Sequence, residues 1–429
     1  MQKDLLKYTQ ELDGYQVVGW KALVDRCVVL DDMTALQRLA VRRNAKATLN
    51  VWIERSAPHR CPECGCETVS VYAGRERIVR GLPVCNIPTV IHVTSHRTYC
   101  PDCGRRHQES LPFLSHPKAR VTKQLERTIM ALRGEMSISA ISDYYDLDWN
   151  TVKNIEKRRL AEKYAHVPLN KVNAIGIDEI QAFPSARGGQ QYVTVVRDLE
   201  TGDVLHVTDG KGSAVLADFG KEIHRWRRRI KYVCMDMSNA YAKWVREYLP
   251  KAQVVYDHFH VIKAMNDKLD AVRRRTMNQM ETGIKSSIKG CRRILTANES
   301  SLDAAGRSRL AELRATFSEL SDVHAMKEML RGIYSFASIE YSARLLLEDW
   351  CETARATQVP ELEAMARTIT EHMEGILGYW RFDGASNAST EGFNNKIRWL
   401  ITQAYGLRDR EYFKLKVFSL PTLKTSKSL

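Results

Sequence analysis

Val172-Asn173-Ala174-Ile175-Gly176-Ile177-Asp178-Glu179 is an apolar run that closes on two acids, and its reading decides the fold. The run reads as a strand. Working outward, Gln191–Val196 and Val204–Val207 read as a second and a third strand joined by short loops. Ala214 to about Trp226 reads as a helix, and Lys231–Met235 as a strand that runs into Asp236. After one more helix, Ala252–Tyr256 ends at Asp257. Three apolar strands therefore each deliver an Asp at the C-terminal end: Asp178, Asp236 and Asp257.

Three strands, helix, strand, helix, strand is the order of a ribonuclease-H-like fold. Carboxylates at neighbouring strand ends can share hard divalent cations, which take oxygen ligands and keep several waters. A lone strand-end Asp is often a turn residue or a helix cap, so a further acid decides the matter. Near the C-terminus, Ser389 reads as the cap of a helix that carries Glu391 in its first turn. Asn394, Asn395, Lys396 and Arg398 follow on that helix and suit approach to a sugar-phosphate backbone. Glu391 follows Asp236 by 155 positions, and 262–380 is rich in Arg, Lys, Leu, Met and Ala with one proline, Pro360. That stretch reads as an all-helical insertion. Its runs Arg273-Arg274-Arg275 and Arg292-Arg293 read as solvated faces in most proteins, or as DNA-backbone contacts in a nucleic-acid enzyme.

Six of the ten cysteines fall between Cys61 and Cys103. Cys61-Pro62-Glu63-Cys64-Gly65 and Cys100-Pro101-Asp102-Cys103-Gly104 repeat one pattern. Two-residue spacing turns both sulfurs of a knuckle toward one tetrahedral ion, and the glycine after it tolerates positive φ. Val69–Tyr72 and Val90–Thr94 alternate and read as short strands that bring the knuckles together. A structural zinc ribbon on Cys61, Cys64, Cys100 and Cys103 is expected, against disulfides or a redox dithiol. Cys66 and Cys85 are surplus, and His59 and His107 read as solvated. Cys27, Cys234, Cys291 and Cys351 read as buried small hydrophobes.

Beyond Pro117, Thr122 reads as the cap of a helix with Leu125, Ile129 and Leu132 inward, and Ser137 opens a short second helix. Asp148 caps a third helix with Val152, Ile155 and Leu160 inward. This is a helix-turn-helix pattern. It presents Asn150, Thr151, Lys153, Asn154, Lys157 and Arg158 toward DNA.

Hydrophobic residues at 44% and charged residues at 27% exclude wholesale disorder, and 23 glycines with 12 prolines exclude a collagen-like chain. No apolar run approaches a membrane span, and no secretory h-region opens the chain. A soluble, cytoplasmic, nucleoid-associated protein is expected. Lys and Arg exceed Asp and Glu by 14, eight of the excess in residues 1–172 and six beyond. A distributed positive field suits a long polyanion.

The twin knuckles, the helix-turn-helix, Ile177-Asp178-Glu179, Met235–Tyr241 with Asp236 at its head, Asp257-His258-Phe259-His260 and Ser389–Arg398 follow one another over about residues 50–418. In that order they resemble the ISL3 family of bacterial insertion-sequence transposases. The resemblance implies a DDE transposase with the triad Asp178, Asp236 and Glu391, and with Asp257 and His260 in support. It implies two Mg2+ (or Mn2+) ions about 4 Å apart on the triad. Double-stranded DNA, as terminal inverted repeats and as target, is the implied partner, on a homodimer or larger assembly. Arg273, Arg274, Arg275, Asn395, Lys396 and Arg398 join the helix-turn-helix residues as expected DNA contacts. A multidomain α+β chain follows. Its expected parts are 1–50 (dimerisation or DNA contact), 51–117 (ribbon), 118–170 (reader), 171–261 (core), 262–380 (insertion) and 381–429 (core with Glu391). The alternatives are a DNA-binding regulator with an inactive core, or a nuclease that cuts without joining.

Overall fold

Ile175, Ile177, Val233 and Met235 are fully buried, and between them stand Gly176, Asp178, Cys234 and Asp236. A period of two puts these sets on opposite faces of a sheet, and each face packs on a different set of helices. The computed structural model describes residues 2–24, 47–67, 69–84, 87–184, 190–279, 288–386, 388–403 and 409–420. They divide into two compact units, Met1–Glu162 and Lys163–Leu429. Cys27 and Cys85 lie outside the described residues.

The first unit holds α1 (Gln2–Thr9), β1 (Tyr15–Val24), β2 (Ala47–Arg55), β3 (Ser70–Val84), β4 (Ile87–Tyr99) and β5 (Arg106–Gln108). The helices α2 (Lys123–Leu132), α3 (Ile138–Tyr145) and α4 (Trp149–Lys163) follow. The sheet order is β1-β2-β4-β3, with β5 on β4; β2 and β4 run parallel. The short strands expected around the knuckles are a long antiparallel hairpin of β3 and β4, and Val71 pairs with Thr98. The division expected at 50/51 falls inside β2, because Val51 and Ile53 share a core with Leu12 and Val17 from the N-terminal segment and Val79, Ile91 and Val93 from the hairpin.

Gln10 ties that segment to the edge of the sheet. Its side-chain amide donates to Leu82 O at 2.7 Å and accepts from Leu82 N at 2.8 Å, in place of a neighbouring strand. A Cβ on Gly81 would collide with Gln10 Oε1, so a side chain there would displace the amide.

The second unit carries β6 (Ala174–Pro184), β7 (Gln190–Asp198), β8 (Val204–Asp209), α5 (Ala217–Ile223), β9 (Tyr232–Met235), α6 (Asn239–Tyr248) and β10 (Gln253–Tyr256). The sheet order is β10-β9-β6-β7-β8; β6, β7 and β8 are antiparallel, and β9 and β10 run parallel to β6. A long helical run follows: α7 (His258–Asn278), α8 (Arg292–Thr296), α9 (Ala304–Thr316), α10 (Ser318–Phe336), α11 (Glu340–Ala356), α12 (Pro360–Glu371) and α13 (Met373–Arg381). Pro360 opens α12, where its missing N–H costs no bond. The chain then returns to the sheet with α14 (Ala388–Gln403) and α15 (Arg410–Phe418).

One core joins Ile177, Val233 and Met235 to Trp244 on α6 and on through Leu269, Leu330 and Trp350 in the helical run. On the opposite face, Ile180, Val193 and Val195 pack on Phe393 and Ile397 of α14 and Phe413 of α15. The breaks expected at 261/262 and 380/381 fall inside α7 and α13, since the sheet and the run share that core. Cys234, Cys291 and Cys351 are buried. Among the described residues no helix is long and apolar enough to cross a membrane.

Gln10→Ala leaves both backbone groups of half-buried Leu82 without partners, and is expected to lower the stability of the first unit by about 1–3 kcal/mol. Urea denaturation of the full chain, with hydrogen exchange followed in β3, measures this. Unchanged β3 protection would show that the amide is dispensable.

Candidate active site and DNA-binding elements

Parallel pairing sets three acids of adjacent strands side by side. Gly176 pairs with Cys234 and Met235 with Tyr256, so Asp178, Asp236 and Asp257 fall at one level. The strand expected to close at Asp178 runs on to Pro184, so Asp178 stands inside β6, on the face that α14 covers, while Asp236 and Asp257 directly follow β9 and β10. The N–H of Asp257 donates to Met235 O at 3.0 Å and continues the ladder to that level.

Each acid has a different surrounding. Asp178 accepts from the N–H of Glu179 at 2.8 Å and, on its other oxygen, from Asn394 Nδ2 at 2.7 Å. Asp236 keeps a buried Oδ1 with no hydrogen-bond partner. Burial pushes its carboxyl above the ordinary value; His260 works against that rise, and Glu179 and Asp178 add to it. Asp257 is 3% exposed and caps α7, accepting from the N–H of Phe259 at 3.4 Å. Its capping role is thus realised in the fold, with His258 Nδ1 3.4 Å from the same oxygen.

Asn394 sits one helical turn after Glu391, and positions three apart on a helix share a face. The turn of α14 that carries Glu391 therefore adjoins the one docked on Asp178. The side chains of residues 388–391, Glu391 and Ser389 among them, lie outside the described set. The helix begins at Ala388, so Ser389 stands in its first turn rather than at its cap. Asn395 and Arg398 are exposed and bonded to each other at 2.7 Å, and Lys396 is half-buried. Asn394 had been grouped with the backbone-facing residues; the spacing from Glu391 was the clue to its inward role.

Glu179 turns to the other face, as alternation requires. Tyr241 Oη on α6 donates to Glu179 Oε1 at 2.5 Å and accepts from the N–H of Gly212 at 3.1 Å. The pair thereby fastens the loop after β8, whose Gly210 and Gly212 both take positive φ. Tyr241 closes the Met235–Tyr241 stretch of the sequence pattern, which gives no sign of its bond to Glu179.

In the helix-turn-helix, Thr122 Oγ1 accepts from Leu125 N at 3.3 Å, Ser137 Oγ from Ala140 N at 3.0 Å, and Asp148 Oδ1 from Asn150 N at 2.9 Å. Each cap satisfies a donor that a helix start leaves open. Val121, Leu125, Ile129, Ile141, Val152 and Ile155 make the small core. Asn150 and Asn154 are exposed on α4; Thr151, Lys153 and Lys157 are half-buried, with Lys153 Nζ 5.9 Å from the ring centre of the exposed Trp149. Arg158 turns inward, 2.6 Å from the buried Glu126. The arginine run on α7 is likewise paired with acids of the protein, although Arg274 itself is exposed. Arg273 and Arg274 hold Asp270, and Arg275 joins Glu319 at 2.7 Å and Glu361 at 2.8 Å. Arg275 thus bridges α7 to α10 and α12, and Arg158 bridges α4 to α2.

The four knuckle cysteines converge, with all sulfurs within 4.8 Å of one another. Cys61 Sγ lies 3.6 Å from Cys103 Sγ, and Cys64 Sγ 3.5 Å from Cys100 Sγ. Zn–S bonds of about 2.3 Å in a tetrahedron give S–S edges of roughly 3.8 Å, so the donor set fits zinc. Gly65 and Gly104 take positive φ. The N–H of Cys64 brings the Cys61 thiol down to about 6 against the effect of burial, with the N–H of Glu63 assisting. His107, expected in solvent, instead places Nε2 3.5 Å from Cys61 Sγ and 3.9 Å from Cys103 Sγ. β5 pairs with β4 and carries it there. His59 packs on His96, whose Nδ1 is 3.1 Å from the buried Glu109. Cys66 is outside the four-sulfur group.

Comparison with known proteins bears on all three regions. A family profile described as "Transposase" matches residues 175–417. One described as "zinc-finger of transposase IS204/IS1001/IS1096/IS1165" matches 57–103, and the "Helix-turn-helix domain of transposase family ISL3" matches 109–160. The transposase for insertion sequence element IS1001 of Bordetella parapertussis is 30% identical over 375 residues, 86% of this chain and 91% of that protein. The transposase for insertion sequence element IS1557 of Mycobacterium tuberculosis is 25% identical over 411 residues, 90% of each.

Arg158 and Lys153 lie on one helix and separate two kinds of basic residue. Arg158→Ala is expected to destabilise the helical part of the first unit by about 1–3 kcal/mol, because Glu126 stays buried with its charge less compensated. Lys153→Ala should stay within about 0.5 kcal/mol. Thermal unfolding of both variants checks the contrast, and equal midpoints would contradict it.

Proposed function

The chain belongs to the ISL3 family of transposases and is a DNA transposase with DNA-binding domains, and we propose that Asp178, Asp236 and Glu391 form its catalytic triad. The second unit is, in this reading, a ribonuclease-H-like core interrupted by the helical run from α7 to α13. The observation that supports it is the docking of Asn394 on Asp178, since Glu391 precedes Asn394 by one turn of the same helix.

The donor set is all oxygen, and the unpartnered Oδ1 of Asp236 lies in a cluster of like charge, which suits hard divalent cations such as Mg2+ or Mn2+. When bound there, such ions supply activation of an attacking oxygen and stabilisation of a leaving 3′ oxygen. The residues themselves have separate tasks. The ladder fixes the spacing of Asp178 and Asp236, Asn394 holds the rotamer of Asp178, and His260 offsets the charge on Asp236. Asp257 supports the site by capping α7, the helix that carries His260. The reaction proposed is hydrolysis at the element's end, which frees a 3′-hydroxyl, followed by attack of that hydroxyl on a target phosphodiester. No covalent protein–DNA bond is required.

Asn150, Thr151, Lys153, Asn154 and Lys157 on α4 are proposed to meet the terminal inverted repeats. Cys61, Cys64, Cys100 and Cys103 are proposed to hold one structural zinc, with His107 Nε2–H as a further donor to the thiolates. Outer hydrogen bonds of this kind orient ligands and hold their charge.

Asp178→Asn, Asp236→Asn and Glu391→Gln are each expected to abolish cleavage and strand transfer while DNA-end binding persists. Asn394→Ala should lower the rate about 10-fold or more, and Glu179→Gln should leave chemistry largely intact. A labelled end with a supercoiled plasmid reads cleavage and joining together. Strand transfer at full rate by the Glu391→Gln protein would refute the triad.

For the ribbon, elemental analysis should find one zinc per chain, lost in Cys64→Ser and Cys103→Ser together with DNA-end binding. His107→Ala should keep the metal but release it faster to a chelator. Well-folded protein without zinc would overturn the assignment.

A further inference from the structure

The parallel strands carry opposite charge toward their two ends. Asp178, Asp236 and Asp257 lie toward the far end of β6, β9 and β10, whereas the chain enters these strands through Lys171, Lys231 and Lys251, all exposed. The turn from α5 into β9, His224-Arg225-Trp226-Arg227-Arg228-Arg229-Ile230-Lys231, adds exposed Arg225, Arg228 and Arg229 to that entry edge. The turn is firmly held. Ile223 and Ile230 are buried on either side, and Trp226 packs on the same core. His224 Nδ1 lies 3.1 Å from Tyr248 O, and the N–H of Lys231 donates to Asn173 O at 2.7 Å.

These cations differ from other arginines of the chain. Arg133, Arg158, Arg275 and Arg381 each meet a carboxylate of the fold at 2.5–2.7 Å. Among the described residues, no acid forms an ion pair with Arg225, Arg228, Arg229, Lys171, Lys231 or Lys251. Glu222 and Glu247, exposed on α5 and α6, stay unpaired with the turn, and Glu200 instead takes the amide of Asn173 at 3.0 Å. Like charges set this close repel one another, and a polyanion laid across them relieves the repulsion. The amides that would read bases are engaged: Asn173 by Glu200, and Gln253 by Arg381 at 3.0 Å. Guanidinium and ammonium groups alone suit phosphates, whatever the sequence.

Lys231 precedes Asp236 by five residues, which sets the basic edge about 16 Å from the acid row along β9. Duplex DNA is stiff over roughly 150 base pairs, so a segment lying on the acids does not fold back onto the opposite end of these short strands. We propose that the basic edge holds a second duplex, through its phosphates, while the first lies at the acids. This rests on the transposase reading and on the acid row as the place of reaction. The end being cut and the target being joined must each present a phosphate at the acids. The duplex left for the basic edge is the other element end.

Fluorescence anisotropy tests it on full-length protein already loaded with one unlabelled element end. Because the contact ignores sequence, the probe is a labelled duplex of about 30 base pairs without the repeat, short enough to stay straight. The loaded wild type should bind the probe with a steep salt dependence. The triple variant Arg228→Ala, Arg229→Ala and Lys231→Ala should bind it about 10-fold or more weakly at about 0.1 M salt, with the slope of log affinity on log salt lower by about 3. Its thermal midpoint and its affinity for the first end should match the wild type, and Arg228→Lys with Arg229→Lys should keep the wild-type slope. Products that join two ends should fall more steeply in the triple variant than products of a single end. An unchanged slope, no probe binding by the loaded wild type, or equal loss of first-end binding would overturn the second-duplex site. Two-end products at the wild-type level would overturn its assignment to the other end. Asp236→Asn is the separating control, expected to bind the probe normally while failing to cleave. If it cleaves, the triad falls, and the probe titration still decides the basic edge.

Discussion

One hydrogen bond joins residues 216 positions apart: Asn394 on α14 donates to Asp178 within β6. Every other feature of the catalytic unit is arranged around that closure. The ladder can set Asp178 and Asp236 level, but it cannot supply a group from beyond the helical run. Phe393 and Ile397, on either side of Asn394, bury themselves against β6 and β7 and hold α14 on the sheet. Apolar burial gives the helix its position, and the amide gives it its registration. A half-buried carboxylate oxygen facing a packed helix loses part of its hydration, and the amide supplies a hydrogen bond in its place.

The sequence was most legible where physics is local. Thr122, Ser137 and Asp148 cap their helices because short oxygen side chains reach nearby N–H groups, and such reach is written in adjacent letters. The strands that lead into Asp236 and Asp257 were legible for the same reason, as was the pairing of cysteines into knuckles; β6 runs past Asp178 to Pro184, where Ile180 and Ala182 continue its buried face. Long-range partners were not. β1 and β2 carry no turn signature that announces their place beside β4, and the apolar residues that settle it are scattered from Leu12 to Val93. Gln10 reads as any surface amide until Leu82 stands beside it. His107 looked solvated because its meeting with Cys61 depends on a three-residue strand too short to read from pattern.

Basic residues illustrate the same limit with consequences for function. A run such as Arg273-Arg274-Arg275 has the composition of a nucleic-acid contact, yet Arg275 bridges two helices through Glu319 and Glu361. Guanidinium groups suit both tasks, because their planar fork binds carboxylate and phosphate alike. Burial of the partner tells them apart: Glu126 and Glu361 are drawn into the fold and must be matched there, whereas a phosphate arrives from outside. The positive excess of the chain is therefore a poor guide to which arginines are available, and Asn150 and Asn154, uncharged and exposed, are better placed than Arg158.

The distance along the chain between Asp236 and Glu391 also sets a clock. Synthesis at about 5–20 residues per second takes roughly 8–30 s to cross those 155 positions. Throughout that interval the zinc-finger and helix-turn-helix regions already exist as a separate compact unit, with its own core and its own caps. The part of the chain that grips DNA is thus ready well before the part proposed to cut it. A product interrupted within that interval would carry the DNA-binding domains without the segment proposed to complete the active site.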